Sequence, residues 1–136
     1  MDDRNSRGQL TELRHGLLRL HKTLLDWERG TYEQVHGRQS GGELLKLLLD
    51  DPHFAWLRPM SQMIVRIDEM LDADTPATAQ EINEVFATVN DMTSASDGSE
   101  GPGQRYSEAL QNSPEVVFAH RGVREKLGAR AKPGGR

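Results

Sequence analysis

Three ionisable residues lie where the sequence predicts apolar helix faces, and together they could bind a metal ion or move a proton. His21 is surrounded, three and four residues away on either side, by four leucines. Arg14 and Glu28 lie one heptad before and after it, so the three residues form a polar column within a broad apolar face. On the last predicted helix, His120 lies among three valines. If the two faces meet, His21, Glu28 and His120 converge.

Two imidazoles and one carboxylate suit Zn or non-haem Fe as ligands, and they also suit an acid–base pair. Because the chain has no cysteine, any metal site must be built from histidine and carboxylate alone. The simpler interpretation is favoured: interior histidines usually satisfy one hydrogen bond, and a column such as Arg14–Glu28 is often a partly exposed ion network. We therefore predict no catalytic residue and no cofactor, with Zn or Fe at His21, Glu28 and His120 as the alternative.

Two Glu-x-x-His pairs, Glu12/His15 and Glu33/His36, have the spacing found in di-iron carboxylate bundles. Such centres need the pairs on two different helices, whereas both pairs here lie on the first helix. We therefore interpret them as exposed polar residues. The phosphate-loop, nucleophile-elbow and zincin motifs do not occur in the sequence, so no strong enzyme signal is present.

The segment from Asp51 to Pro59 concentrates Phe54, Trp56 and Arg58 around a proline-defined bend. Tryptophan and arginine are enriched at interface hot spots, so these three residues are the predicted interaction residues. The alternative is that Phe54 and Trp56 fill the end of the core instead.

Helices must position all of these residues. Apolar residues recur at spacings of three and four in the first part of the chain, at Leu10, Leu13, Leu17, Leu20, Leu24 and Trp27. This stripe predicts an amphipathic helix from about Gln9 to His36, ended by Gly37. Pro59 either kinks a helix that begins at Pro52 or starts a new one. The helix that begins at Pro52 or Pro59 is predicted to end at about residue 73. Other helices are predicted over 43–50 and 106–111, and two more are predicted to start at Thr75-Pro76 and at Ser113-Pro114.

No stretch alternates with the period of a strand, so the predicted fold is all-α: an antiparallel helical bundle of four to five main helices with short capping helices. We expect a flexible N-terminus over residues 1–8 and a single domain over 9–127. A mobile loop is predicted over 93–104, where no large apolar residue occurs before Tyr106, and a disordered basic tail over 128–136.

The net charge of −4 over 136 residues conceals an uneven distribution. Eleven bases oppose twenty acids in residues 1–120, whereas six bases oppose one acid from Arg121 onward. No aromatic residue accompanies the basic end, so nucleic-acid binding is disfavoured. No apolar run approaches the roughly 20 residues of a membrane span, and the expected location is the cytoplasm.

Four segments resemble a family of small uncharacterised bacterial all-helical proteins. They are LLRLHKTLLDWE (17–28), DPHFAWLRPMS (51–61), IVRIDE (64–69) and SPEVVFAHRGVR (113–124). The resemblance implies a bacterial stand-alone protein and transfers no activity, cofactor or site residue.

These observations predict a non-enzymatic module that acts through a protein partner or self-association, as a homodimer or small hetero-complex. This prediction rests on three features: the wide apolar face of the first helix, the apolar segment Leu44–Leu49 and the bend at Trp56 and Arg58. The alternative is a metal- or cofactor-binding bundle that uses interior histidine and glutamate.

Overall fold

The chain folds into six α-helices and one 3-10 helix in a computed structural model that describes residues 3–94 and 102–131, with the side chains of 5–94 and 103–130. The elements are α1 (Asp3–His36), α2 (Gly41–Asp50), a 3-10 helix (Pro52–Leu57), α3 (Arg58–Asp72), α4 (Ala79–Thr93), α5 (Pro102–Asn112) and α6 (Pro114–Ala131). No strand occurs in the described ranges, which confirms the all-α prediction. None of the described helices is long and apolar enough to cross a membrane.

Helix α1 organises the core. The leucines of its predicted stripe are buried, and the helix ends at His36, before Gly37, whose φ of 83° favours glycine. The helix begins at Asp3, six residues earlier than predicted, so the expectation of a flexible 1–8 is wrong from residue 3 onward. Long-range contacts anchor this first turn: the guanidinium of Arg7 donates to the carbonyl of Leu71 at 2.7 Å, and Ser6 is buried.

Helices α3 and α6 both pack antiparallel to α1. Along α6, Lys126 pairs with Glu12 at 3.0 Å, while Val123 lies against Gly16 farther along α1. A Cβ atom at Gly16 would lie 3.3 Å from the Cγ2 of Val123, so the glycine permits a close approach of the two helices.

Helix α4 contacts both α3 and α6. The Arg66 guanidinium of α3 lies 3.9 Å from the Glu84 carboxylate, and Arg124 of α6 donates to the Asn90 side chain at 2.8 Å. The predicted apolar face of α4 is buried, and its members are Ile82, Val85, Phe86 and Val89. Apolar side chains of α1, α3, α4, α5, α6 and the 3-10 helix therefore share one core.

The capping signals specify several helix starts correctly and one incorrectly. Pro59 lies in the first turn of a new helix, α3, and the segment before it is a 3-10 helix capped by Asp51. The start expected at Thr75-Pro76 is wrong, because α4 begins three residues later. There the Thr78 side chain accepts a hydrogen bond from the Glu81 amide and Glu81 accepts one from the Thr78 amide, so this capping box satisfies two end groups at once.

Two other boundaries also differ from the prediction. Part of the segment 93–104, expected to be a mobile loop, is helical: Thr93 is a buried residue of α4, and α5 begins at Pro102. Residues 95–101 lie outside the described part. The first four residues of the expected tail 128–136 are helical. Arg130 donates to Gln9 at 2.6 Å and its guanidinium lies 5.3 Å from the Phe86 ring, which ties this turn to α1 and α4. Residues 132–136 lie outside the described range.

Candidate functional site

The polar column of α1 faces α3 and the 3-10 helix. Each member has a different partner there: Asp68 for Arg14, Ser61 for His21 and Trp56 for Glu28. The heptad spacing on α1 matches the seven residues between Asp68 and Ser61, because the two helices pack antiparallel. The column is therefore a ladder of interhelical polar contacts rather than one converged site.

Glu28 is the most elaborately satisfied residue of this column, and none of its side chain is exposed. Its Oε2 accepts hydrogen bonds from the Trp56 indole at 2.8 Å and from Nε of Arg105 at 3.0 Å. Its Oε1 accepts from the Thr31 hydroxyl at 2.9 Å and from a second nitrogen of Arg105, and Nε2 of His53 lies 3.4 Å away. We call this group the Glu28 cluster.

Arg105 reaches the Glu28 cluster from α5 and makes further contacts on its exposed side. It lies 4.4 Å from the ring centroid of Trp27 and donates to Glu108 at 2.6 Å. The Trp27 and Trp56 rings pack edge to face, with their centroids 6.5 Å apart. Arginine is the suitable cation here because its planar guanidinium bonds a carboxylate with two nitrogens while stacking on an aromatic ring.

The electrostatics of the Glu28 cluster favour a fixed ion pair. Burial acts to raise the pKa of the Glu28 carboxyl, but hydrogen bonds from Arg105, Trp56 and Thr31 outweigh burial and hold the pKa below its ordinary value. The hydrogen bond to Glu28 in turn raises the pKa of Arg105. Since both carboxylate oxygens are occupied, Glu28 serves to join α1, α5 and the 3-10 helix.

The two interior histidines are neutral hydrogen-bond partners. Nε2 of His21 lies 2.6 Å from the Ser61 hydroxyl, and burial lowers the pKa of His21. Nδ1 of His120 lies 2.5 Å from the Tyr106 hydroxyl; burial and then the charge of Arg124 lower the pKa of His120. Burial also raises the pKa of Tyr106, so its phenol keeps its proton. Ser61 and His21 have the contact of a nucleophile and its base, but no carboxylate bonds the imidazole in the described structure.

The predicted metal site is not formed. Within the described residues, no group of three or more histidine, aspartate or glutamate side chains is arranged to hold a metal ion. His21, Glu28 and His120 instead bond to Ser61, Arg105 and Tyr106 respectively, so their lone pairs are directed to separate partners. The hypothesis that these three residues converge on Zn or Fe is therefore wrong.

The predicted interaction residues have three different environments. Phe54 is fully buried in the core, so its assignment to an interaction surface is wrong, and the alternative of a core plug is correct. Trp56 is half-buried, with its indole nitrogen committed to Glu28. Arg58 donates from Nε to the Leu48 carbonyl and from Nη2 to the Asp51 carbonyl, both at 3.1 Å, and thereby holds the C-terminal end of α2.

Helix α2 is strongly apolar, yet the core covers it only in part. Five of its ten residues are leucines, yet none of its residues is buried. Leu44, Leu47 and Leu48 lie partly covered against the core. Leu45 and Leu49, one turn apart on the other side, are 58% and 64% exposed. We call these two residues the α2 outer face.

A small cleft lies beside Trp56, where α1, the 3-10 helix, α3, α4 and α5 approach one another. Its volume is about 180 Å³. Its lining is mainly apolar and includes Leu24, Trp56, Met60, Met92 and Tyr106, with Asp91 as its acidic residue.

Comparison with known proteins gives no relative for this arrangement. No protein-family model, no curated protein and no solved structure matches the chain. The resemblance of four segments to small bacterial helical proteins therefore stays a prediction.

Proposed function

We propose that the protein is a non-enzymatic association module, an antiparallel helical bundle that binds a second copy of itself through the α2 outer face. The observation that carries the proposal is the exposure of Leu45 and Leu49 on a helix that contains five leucines and no buried residue. Contiguous exposed apolar side chains indicate a binding surface more strongly than isolated ones do.

The fixed position of α2 supports this role. At its start, Ser40 and Glu43 form a capping box, in which each side chain accepts a hydrogen bond from the other residue's amide. At its end, Arg58 holds two of the carbonyls. A helix fixed at both ends loses little conformational freedom on binding, so more of the free energy of leucine burial contributes to affinity.

The residues of α2 are compatible with a second copy in antiparallel orientation. Pairing centred between Leu45 and Lys46 sets Leu49 of one copy opposite Gly42 of the other, and open space surrounds Gly42. Lys46 then lies within one turn of the second copy's Glu43, which gives charge complementarity. A contact between two ten-residue helices is smaller than the roughly 800 Å² per partner of a standard interface, so we expect a dissociation constant in the micromolar to millimolar range.

The bundle arrangement itself is part of the proposal. Its support is the reversed order of the residue pairs that join α1 to α3, α1 to α6 and α4 to α6, together with the contact between α3 and α4. In such an arrangement α2 packs against the 3-10 helix, and its outer face remains accessible.

A dilution series followed by amide NMR tests the proposal. We expect the signals of residues 41–50 to move with concentration, because exchange between monomer and dimer changes their surroundings, while the signals of α4 stay constant. Signals that do not depend on concentration into the millimolar range would contradict the proposal, as would changes that map to another surface and omit α2.

A further inference from the structure

The cleft beside Trp56 combines mainly apolar walls, a volume that fits an aromatic ring and one charged side chain. Its 180 Å³ is comparable to engineered cavities of about 150 Å³ that bind benzene. Trp56 and Tyr106 contribute aromatic surface, while Met60 and Met92 contribute flexible, polarizable side chains that adapt to a ligand. These walls suit an aromatic or compact aliphatic group.

The charge at the cleft is negative. Asp91 lines it and forms no ion pair or side-chain hydrogen bond within the described part of the chain. Asp91 also lies in the last turn of α4, where the helix dipole favours a cation and the helix itself supplies no basic residue. The same turn accepts the Arg124 guanidinium from the α6 side, at 3.2 Å from the Thr93 hydroxyl.

We propose that this cleft binds a small protonated aryl-alkyl amine, with the ring among Trp56, Met60 and Met92 and the ammonium group at Asp91. The other polar side-chain groups of the lining are engaged elsewhere: the Tyr106 hydroxyl bonds His120, the Trp56 indole donates to Glu28 and the Ser94 hydroxyl donates to the Asn90 carbonyl. The carboxylate of Asp91 therefore determines the preference for a cation over a neutral or anionic analogue. Ligands of this size bind with dissociation constants in the millimolar range.

The five methionines of the chain make a direct test possible. With methyl-labelled methionine, 2-phenylethylamine should shift the Met60 and Met92 signals saturably and leave the Met63 and Met70 signals nearly unchanged. The neutral analogue 2-phenylethanol should bind about threefold to fivefold more weakly, as expected for loss of one partly exposed ion pair. The anionic analogue 3-phenylpropionate should bind more weakly still.

Two variants assign the charge preference. Asp91→Asn should remove the difference between the amine and the alcohol, whereas Asp74→Asn, which neutralises an exposed aspartate between α3 and α4, should preserve it. Equal affinity of the three probes, or equal shifts of all methionine methyls, would overturn the proposal. The proposal also fails if the amine produces no saturable shift, or if Asp91→Asn leaves the preference intact.

Discussion

Glu28 is the residue on which three elements depend, because its carboxylate is buried and its charge is balanced from α5. Removing one member of a buried ion pair lowers the free energy of unfolding by more than the intact pair contributes to it, because the other charge is left uncompensated. Arg105 is 31% exposed, so water screens part of this effect.

Arg105→Met should therefore destabilise the protein by about 2 to 3 kcal/mol in urea unfolding. Lys22→Met, which removes the exposed pair with Asp26, is the matched control and should cost about 0.5 kcal/mol or less. If Arg105→Met lowers the free energy of unfolding no more than the control does, the role assigned to the Glu28 cluster is contradicted.

The two interior histidines make stability depend on pH. The pKa values of His21 and His120 are lowered in the folded state, so the unfolded chain takes up protons first as the pH falls through the ordinary value of 6.5. Their contribution is therefore fully present above that pH and is lost below it. Glu28 acts in a lower window: its pKa is held below the ordinary 4.5, so its contribution is lost only as the pH falls further.

We expect the urea midpoint to fall between about pH 7 and pH 5.5, and the fall to be smaller in the His21→Gln/His120→Gln variant. Glutamine retains an acceptor for Ser61 and Tyr106 while removing the titration. An unchanged pH dependence in the double variant would show that other groups are responsible.

For individual residues, the sequence predicts the polar column of α1 but not the residues that the column contacts. Heptad spacing identifies Arg14, His21 and Glu28 as neighbours on α1, which is a local property. Arg105 was missed because it lies 77 positions from Glu28 and its sequence neighbourhood carries no motif. A buried carboxylate implies a cation, but the sequence contains seventeen lysines and arginines to choose from.

Helix α1 contains two internal glycines with different surroundings. No atom outside the helix lies within 4 Å of a Cβ atom built at Gly30, whereas one at Gly16 would approach buried Val123 at 3.3 Å. The helix continues through both positions over 34 residues, about 51 Å.

Gly30→Ala should stabilise the protein by about 0.5 to 1 kcal/mol, because alanine restricts the unfolded chain and favours the helix. Gly16→Ala should increase the stability less than Gly30→Ala does, or decrease it, because the side chain of Val123 is fully buried and must shift. Thermal and urea unfolding of the two single variants measure the difference. Equal gains would contradict the close packing of α1 against α6.

At the element scale, periodicity and capping predicted most helices because both signals are local. The boundary of α4 was misassigned since Thr75 and Thr78 both offer a cap, and the capping box with Glu81 decides between them. The exposure of α2 could not be inferred, because an apolar run looks the same whether the fold covers it or leaves it open.

In the whole molecule, α2 is the helix whose apolar residues lie least covered by the core. The core draws on apolar residues from the other helices and from the 3-10 helix, while Leu45 and Leu49 remain exposed on α2. We propose that a second copy of the chain covers them.

Sedimentation equilibrium over a concentration series measures this self-association. It compares wild type with the Leu45→Glu/Leu49→Glu variant and with Val65→Glu, a 55% exposed site on α3, as the control. We predict a weak monomer–dimer equilibrium for wild type and for Val65→Glu, and a monomer for the α2 variant. A wild-type protein that stays monomeric into the millimolar range, or a dimer that survives both α2 substitutions, would contradict the account.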